Sequence, residues 1–236
     1  FDSHGNLWTG DGQGRVWKIS PVGLVTEVFR IQPMNNSLNV GRTNTTNPGT
    51  PQNAVANGLA FNAQGNLLVA DTARGALWLV TFDRNGNLVS KLGCDDTFDP
   101  NTLCLENLFR ADPRLEGVDG IALDISGDIW ASVNERNAIV FTVFFGTSDS
   151  VEVFRNPVNS SGLRNSATNT ADNNRILEFP TSPFLSRTKF CTANGDNNRR
   201  DNSPNTAGEI GGAGADLGKI SCMDQPLGTS GLPLPR

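Results

Sequence analysis

Apolar and polar residues alternate along this chain in short runs, and the runs come in pairs. Asn57-Gly58-Leu59-Ala60-Phe61 is followed, after Gln64-Gly65-Asn66, by Leu67-Leu68-Val69-Ala70-Asp71. Leu59 and Phe61 alternate with smaller residues in the first arm, and Leu67 and Val69 alternate in the second. This is the period of two that a pleated strand imposes. The glycine between the arms sits where a positive φ is needed and cheap. The stretch predicts a strand, a tight turn and a second strand.

The unit recurs. Phe1-Asp2-Ser3-His4-Gly5-Asn6-Leu7-Trp8 reads as a strand end, a turn and a strand, continued by Arg15–Ile19 and Leu24–Phe29. Gly117-Val118-Asp119-Gly120-Ile121-Ala122-Leu123-Asp124 turns at Ser126-Gly127-Asp128 into Ile129–Asn134, then into Asn137–Val143 and Ser150–Phe154. A fourth, less regular unit has Pro180–Leu185, Lys189–Asn194 and Lys219–Met223. The second-strand positions Trp8, Leu68, Trp130 and Phe190 stand 60, 62 and 60 residues apart. Four-stranded antiparallel units at that period predict an all-β fold, a β-propeller with about four blades in this chain. The expected blade units are 1–31, 57–92, 117–155 and 176–236, in one domain. In the second unit the outer strand is expected at Asn87-Leu88-Val89-Ser90. A β-sandwich would not repeat a strand-Gly-Asn-strand unit in register.

Composition narrows the function classes. The net charge of −5 and the lack of a basic cluster larger than Asn198-Arg199-Arg200 argue against nucleic-acid binding. No apolar run approaches the length that spans a bilayer. Four cysteines allow three pairings, of which the local pairs Cys94–Cys104 and Cys191–Cys222 are the simplest. Disulfides, with sequons at Asn35, Asn44 and Asn159, point to a secreted or periplasmic protein. No Cys-x-x-Cys occurs, and the single histidine, His4, leaves a Ser-His-Asp triad without a base. The run Gly211–Lys219 lacks the first glycine and the Ser/Thr of a phosphate loop.

In a propeller blade, the entry of the innermost strand and the turn after the second strand share one face. Asn57-Gly58 and Asp119-Gly120 stand at such entries and are expected to face the mouth of the central channel. Asp71 and Asn134, in the turns after second strands, are expected to approach the same mouth, as are Thr181 and Ser182. His4, Gln64 and Ser126 fall on the far face. Glu106, Glu116 and Glu135 are further carboxylates that no pattern places in the mouth. Asn and Asp before Gly also form turns for purely structural reasons.

The segments Ala56-Asn57-Gly58-Leu59-Ala60-Phe61 and Val118-Asp119-Gly120-Ile121-Ala122-Leu123-Asp124, each followed by a Gly-Asn or Gly-Asp turn, resemble the gluconolactonase, senescence-marker-protein (regucalcin) and luciferin-regenerating-enzyme family. Thr181-Ser182-Pro183-Phe184 resembles the start of that family's last blade, and Gly218-Lys219-Ile220 through Gly231-Leu232-Pro233 its closing strand and tail. The resemblance implies a six-bladed propeller in the full-length protein, with about two blades expected before Phe1. It implies one divalent metal at the channel mouth, calcium first and zinc or magnesium as the other candidates, held by Asn57 and Asp119. It implies Asp119 as catalytic base and a small lactone or carbohydrate-like molecule as substrate. The family's metal-binding Glu and its substrate-binding Asn-Asp pair would precede Phe1, so this stretch alone is expected to be inactive. The implied activity is a metal-dependent hydrolase of the sugar-lactonase type. The alternative is a non-catalytic propeller, like NHL-repeat scaffolds, that binds carbohydrate or protein. Nothing in the sequence sets the oligomeric state.

Overall fold

The computed structural model describes residues 1–32, 56–145, 149–158, 176–186, 188–195 and 219–225. The sequons, the Gly-rich run before Lys219 and the closing Gly231–Pro235 segment lie outside these residues. Strands β1 (Leu7–Gly10), β2 (Arg15–Ile19) and β3 (Val25–Arg30) form the first sheet. The second holds β4 (Ala56–Phe61), β5 (Leu67–Asp71), β6 (Ala76–Val80) and β7 (Leu108–Ala111). The third holds β8 (Val118–Leu123), β9 (Ile129–Val133), β10 (Ala138–Thr142) and β11 (Ser150–Arg155). The fourth holds β12 (Pro180–Leu185), β13 (Lys189–Asn194) and β14 (Lys219–Asp224). Every sheet pairs its strands antiparallel in chain order, and no α-helix occurs among the described residues. The innermost strands β4, β8 and β12 lie side by side. The fold is an all-β arc of four propeller blades.

Burial follows from this stacking. Residues of β5 alternate between two cores: Leu67 and Val69 join Trp8, Val16 and Phe29 of the first sheet, while Leu68 and Ala70 join Ile121, Ile129 and Val133 of the third. In β9, Ala131 turns back to the second sheet and Trp130 forward to Phe190 of the fourth. A strand packed on both faces has no solvent side, so β5 and β9 are buried at every position.

The second sheet corrects one expectation. Its outer strand is Leu108–Ala111, paired with β6, and Asn87–Ser90 belongs to a long insertion. Leu88 makes one isolated bridge to Phe82, and Leu88 and Leu92 then pack toward the interface with the first sheet. The chain passes through the Cys94–Cys104 disulfide and crosses to the first sheet, where Thr102 bridges Arg30 in parallel. Asn101 donates to Glu27 at 2.8 Å, and Arg30 pairs with Asp99. The insertion therefore covers part of the outer edge of the neighbouring blade. The second disulfide, Cys191–Cys222, joins directly opposed residues of β13 and β14.

A repeated clamp holds the turns. Asp2 Oδ1 accepts the backbone N–H groups of His4 and Asn6, and Oδ2 accepts Trp8 Nε1 at 2.9 Å. Asp124 does the same with Ser126, Asp128 and Trp130, and Asp11 with Gln13, Arg15 and Trp17. In each, a carboxylate caps a turn and ties it to a tryptophan six residues on. All four tryptophans of the chain donate to an aspartate in this way, Trp78 to Asp71. At the second blade's hairpin Asn62 and Leu68 replace the pair, and Asn62 Nδ2 is buried without a partner among the described residues.

Candidate functional site

The site begins with an extra residue in each innermost strand. Ala56 pairs with Asp71 and Leu59 with Val69, so three steps along β4 match two along β5. Val118 and Ile121 oppose Val133 and Ala131 in the same way, and Pro180 and Pro183 oppose Asn194 and Thr192. The unpaired stretches are Asn57-Gly58, Asp119-Gly120 and Thr181-Ser182, each 62 residues from the last. A bulge at one level in three adjacent strands re-aims side chains at a shared point.

Glycine makes the convergence possible. A Cβ on Gly58 would stand 2.5 Å from the Asp119 carbonyl oxygen, and one on Gly120 would stand 2.5 Å from the Thr181 oxygen. Adjacent bulges therefore touch backbone to backbone, and the residues before the glycines are brought near one another. At the strand entry the backbone also needs a positive φ. The third blade supplies Gly117 (φ 83°) and the fourth Phe179 (φ 54°). Phe179 is held there by its N–H donating to Asn137 Oδ1 at 2.7 Å and its carbonyl accepting from Gly195.

Asp119 is the ionisable centre. Burial pushes its carboxyl above the ordinary carboxylate range, against hydrogen bonds from the side chains of Asn134 and Asn57 that favour the ionised form. Asn134, itself buried, donates from Nδ2 to Asp119 Oδ2 at 2.8 Å. Asn57 Nδ2 also donates to Thr72 Oγ1 at 3.2 Å, and Thr72 Oγ1 donates to the Val118 carbonyl at 2.7 Å. The structure thus brings together Asn57, Asp119 and Asn134, with Thr181 and Ser182 at the next bulge. Thr181 Oγ1 donates to the Ala193 carbonyl at 3.2 Å, and Ser182 is exposed.

Asp71 does not join them. It is fully buried, accepting from the Arg74 N–H at 3.0 Å and Trp78 Nε1 at 3.2 Å, with the Arg74 guanidinium at 3.4 Å. Its carboxylate clamps the turn inside the blade. Glu135 is buried against Gly117, Glu116 packs beside Gly75, and Glu106 is exposed beside Lys91. Thr72 is the residue that sequence reasoning passed over. The signal was spacing: Thr72 lies fifteen residues after Asn57, as Asn134 lies fifteen after Asp119.

A cavity of about 610 Å³ opens on the opposite face, between the first two blades. The edge-to-face rings of Trp8, Phe61 and Phe82 line it, with His4 and Gln64 at its rim. Asn57 and Asp119 are not among its walls.

The described residues contain no group of three His, Cys, Asp or Glu side chains that could hold a metal ion. Oxygen is what the bulges offer: one carboxylate, a carboxamide and two hydroxyls. That set has the hardness calcium prefers, but it falls short of the roughly six to eight oxygens of a calcium shell. It fits part of such a site.

No known family profile matches the sequence, and no curated protein does. Among solved structures, the chain is similar to a structural-genomics target described as a gluconolactonase, at 15% identity and a TM-score of 0.47, covering 93% of this chain and 48% of that one. It is similar to a streptogramin B lyase at 11% identity and a TM-score of 0.41, covering 84% of this chain and 54% of that one. A virginiamycin B lyase from Staphylococcus aureus follows at 13% identity and 0.40, covering 86% and 54%. The chain spans about half the length of each of these structures.

Proposed function

We propose that this chain carries part of the active site of a metal-dependent hydrolase of the sugar-lactonase type, acting on a small lactone or carbohydrate-like molecule. The observation that carries the reading is the meeting of Asn57 and Asp119 at equivalent bulges of adjacent innermost strands. The sequence resemblance stated for those two segments points the same way. Asn57 and Asp119 would hold the cation, calcium first and zinc or magnesium next, with further oxygens from outside the described residues. When bound, a divalent cation supplies polarisation of a carbonyl and acidification of a water.

The residues' own part is proton handling and orientation. Asp119 sits in a buried setting that favours its neutral form, so its carboxylate is a stronger base than a solvated one. It takes the proton from the attacking water. Asn134 fixes the carboxylate plane by donating to it at 2.8 Å. Thr181 and Ser182 stand at the next bulge, where a substrate hydroxyl would be met. Two disulfides are present, and no helix among the described residues is long and apolar enough to cross a membrane. Both suit the secreted or periplasmic setting we propose.

The test is calcium-dependent opening of a sugar lactone by the full-length native protein. Activity lost in Asp119→Ala and on chelation supports the reading. Absence of turnover with every lactone tried, in the presence of calcium, overturns it in favour of a non-catalytic binding propeller.

A further inference from the structure

The Thr72 hydroxyl has one proton, and it goes to the Val118 carbonyl at 2.7 Å. Toward Asn57 the hydroxyl can then only accept. The carboxamide atom facing it, at 3.2 Å, must be the nitrogen. The nitrogen side of the Asn57 carboxamide is therefore turned to Thr72, and the described residues provide no hydrogen bond to its oxygen.

We infer that Thr72 is a positioning residue, which sets the Asn57 carboxamide so that its oxygen is the atom offered at the channel mouth. Resting on the site reading proposed above, it adds a restriction on the occupant. Asn57 offers an acceptor and Asp119 offers carboxylate lone pairs, so the mouth selects cations and hydroxyl donors and disfavours groups that only accept. The device also joins the blades. Thr72 is stitched to the entry of β8 twice, by its hydroxyl on Val118 and by its carbonyl accepting the Gly117 N–H at 3.2 Å. Asn57 on the second blade is thus aimed from the same segment that carries Asp119 on the third. The repeat supports the assignment: in the third blade the residue fifteen further on, Asn134, reaches back to Asp119.

The test is metal-free NMR of the Asn57 side-chain amide in the chain itself, with Thr72→Val and Thr72→Ser. The wild type is expected to show two resolved protons, with the one facing Thr72 exchanging slowly, and Thr72→Ser to retain that protection. Thr72→Val, with the same shape and no hydroxyl, should lose that protection about tenfold or more while the β5 amides stay protected. A rapidly exchanging Asn57 carboxamide in the wild type overturns the inference before any variant is made, and so does unchanged protection in Thr72→Val. A calcium titration of the full-length native protein and of the same two variants made in it then separates the two claims. If the wild type binds calcium, Thr72→Val should bind about 10- to 100-fold more weakly, as removal of an orienting partner does, and Thr72→Ser should not. If the wild type does not bind, the metal reading falls, and the amide exchange still decides the role of Thr72.

Discussion

Gly58 and Gly120 face each other across two blades: a Cβ on Gly58 would stand 2.7 Å from the Cα of Gly120. This contact sets how closely the innermost strands can approach, and with it how near Asn57 comes to Asp119. Alanine at either position meets backbone, which cannot move aside cheaply. Gly58→Ala and Gly120→Ala should each cost about 1–3 kcal/mol in urea melts. Gly12, with open space around it, is the control, and Gly12→Ala should change stability by less than about 0.5 kcal/mol. Equal costs at Gly12 and Gly120 would contradict the backbone-to-backbone packing.

Asp119 holds its carboxyl in a buried setting that disfavours the charged form. Burial raises its carboxyl, so the ionised form is the one that costs the fold. Between the ordinary carboxylate value and this raised one, the folded state holds more proton than the unfolded state. Stability from this group therefore rises as the pH falls through its folded titration point. Asp119→Asn should melt at the same or a higher temperature than the wild type near neutral pH, and the difference should shrink toward pH 4. Lactone opening by the full-length variant should drop by about 100-fold or more. A lower Tm at neutral pH would show that the carboxylate stabilises the mouth.

The turn aspartates should behave in the opposite sense. At Asp2, burial pushes the carboxyl up, but donors from Asn6, Trp8 and His4 outweigh it and hold the value below the ordinary range. At Asp11, burial is likewise outweighed by Trp17, Arg15 and Gln13. Their contributions are present above the unfolded carboxylate value and are lost as the pH falls through the folded one. NMR titration of Asp2 and Asp11 should give midpoints below that of Asp119. A reversed order would remove the clamp as the explanation.

Asp124 is the clamp with most at stake, because it is fully buried and accepts from three donors. Asp124→Ala leaves the Trp130 indole N–H and the turn amides without their acceptor. The expected loss is about 3 kcal/mol or more, read from denaturant melts with Trp130 fluorescence as a local probe. Asp83 builds the same turn in the open, without a tryptophan, and Asp83→Ala should cost clearly less. Equal losses would mean that the indole bond adds nothing.

The Cys94–Cys104 loop should act on a blade to which it does not belong. Replacing both cysteines with serine should lower stability by about 2–3 kcal/mol. Hydrogen exchange should rise at the Arg30 and Leu103 amides, which bond across from blade to insertion. Protection of the β8–β9 ladder should be unchanged. Exchange raised evenly through the chain would indicate global loosening.

The repeat of alternating residues and Gly-containing turns determined the blade cores, since period-two patterning and turn chemistry are local properties. The same patterning made Asn57-Gly58 and Asp119-Gly120 stand out at the strand entries, and the cysteine spacing was enough to suggest both pairings. Tertiary structure alone decided the rest. The outer strand of the second blade moved to Leu108–Ala111 because Leu88 and Leu92 are drawn to an interface that exists only once two blades pack. Asp71 resembled Asp119 as an acid near a strand end, yet its partner is an indole seven residues on, and burial turns it into scaffold. Thr72 carried no chemical signal by itself. Its role arises because the third blade brings the Val118 carbonyl to its hydroxyl, and a single proton can be given only once.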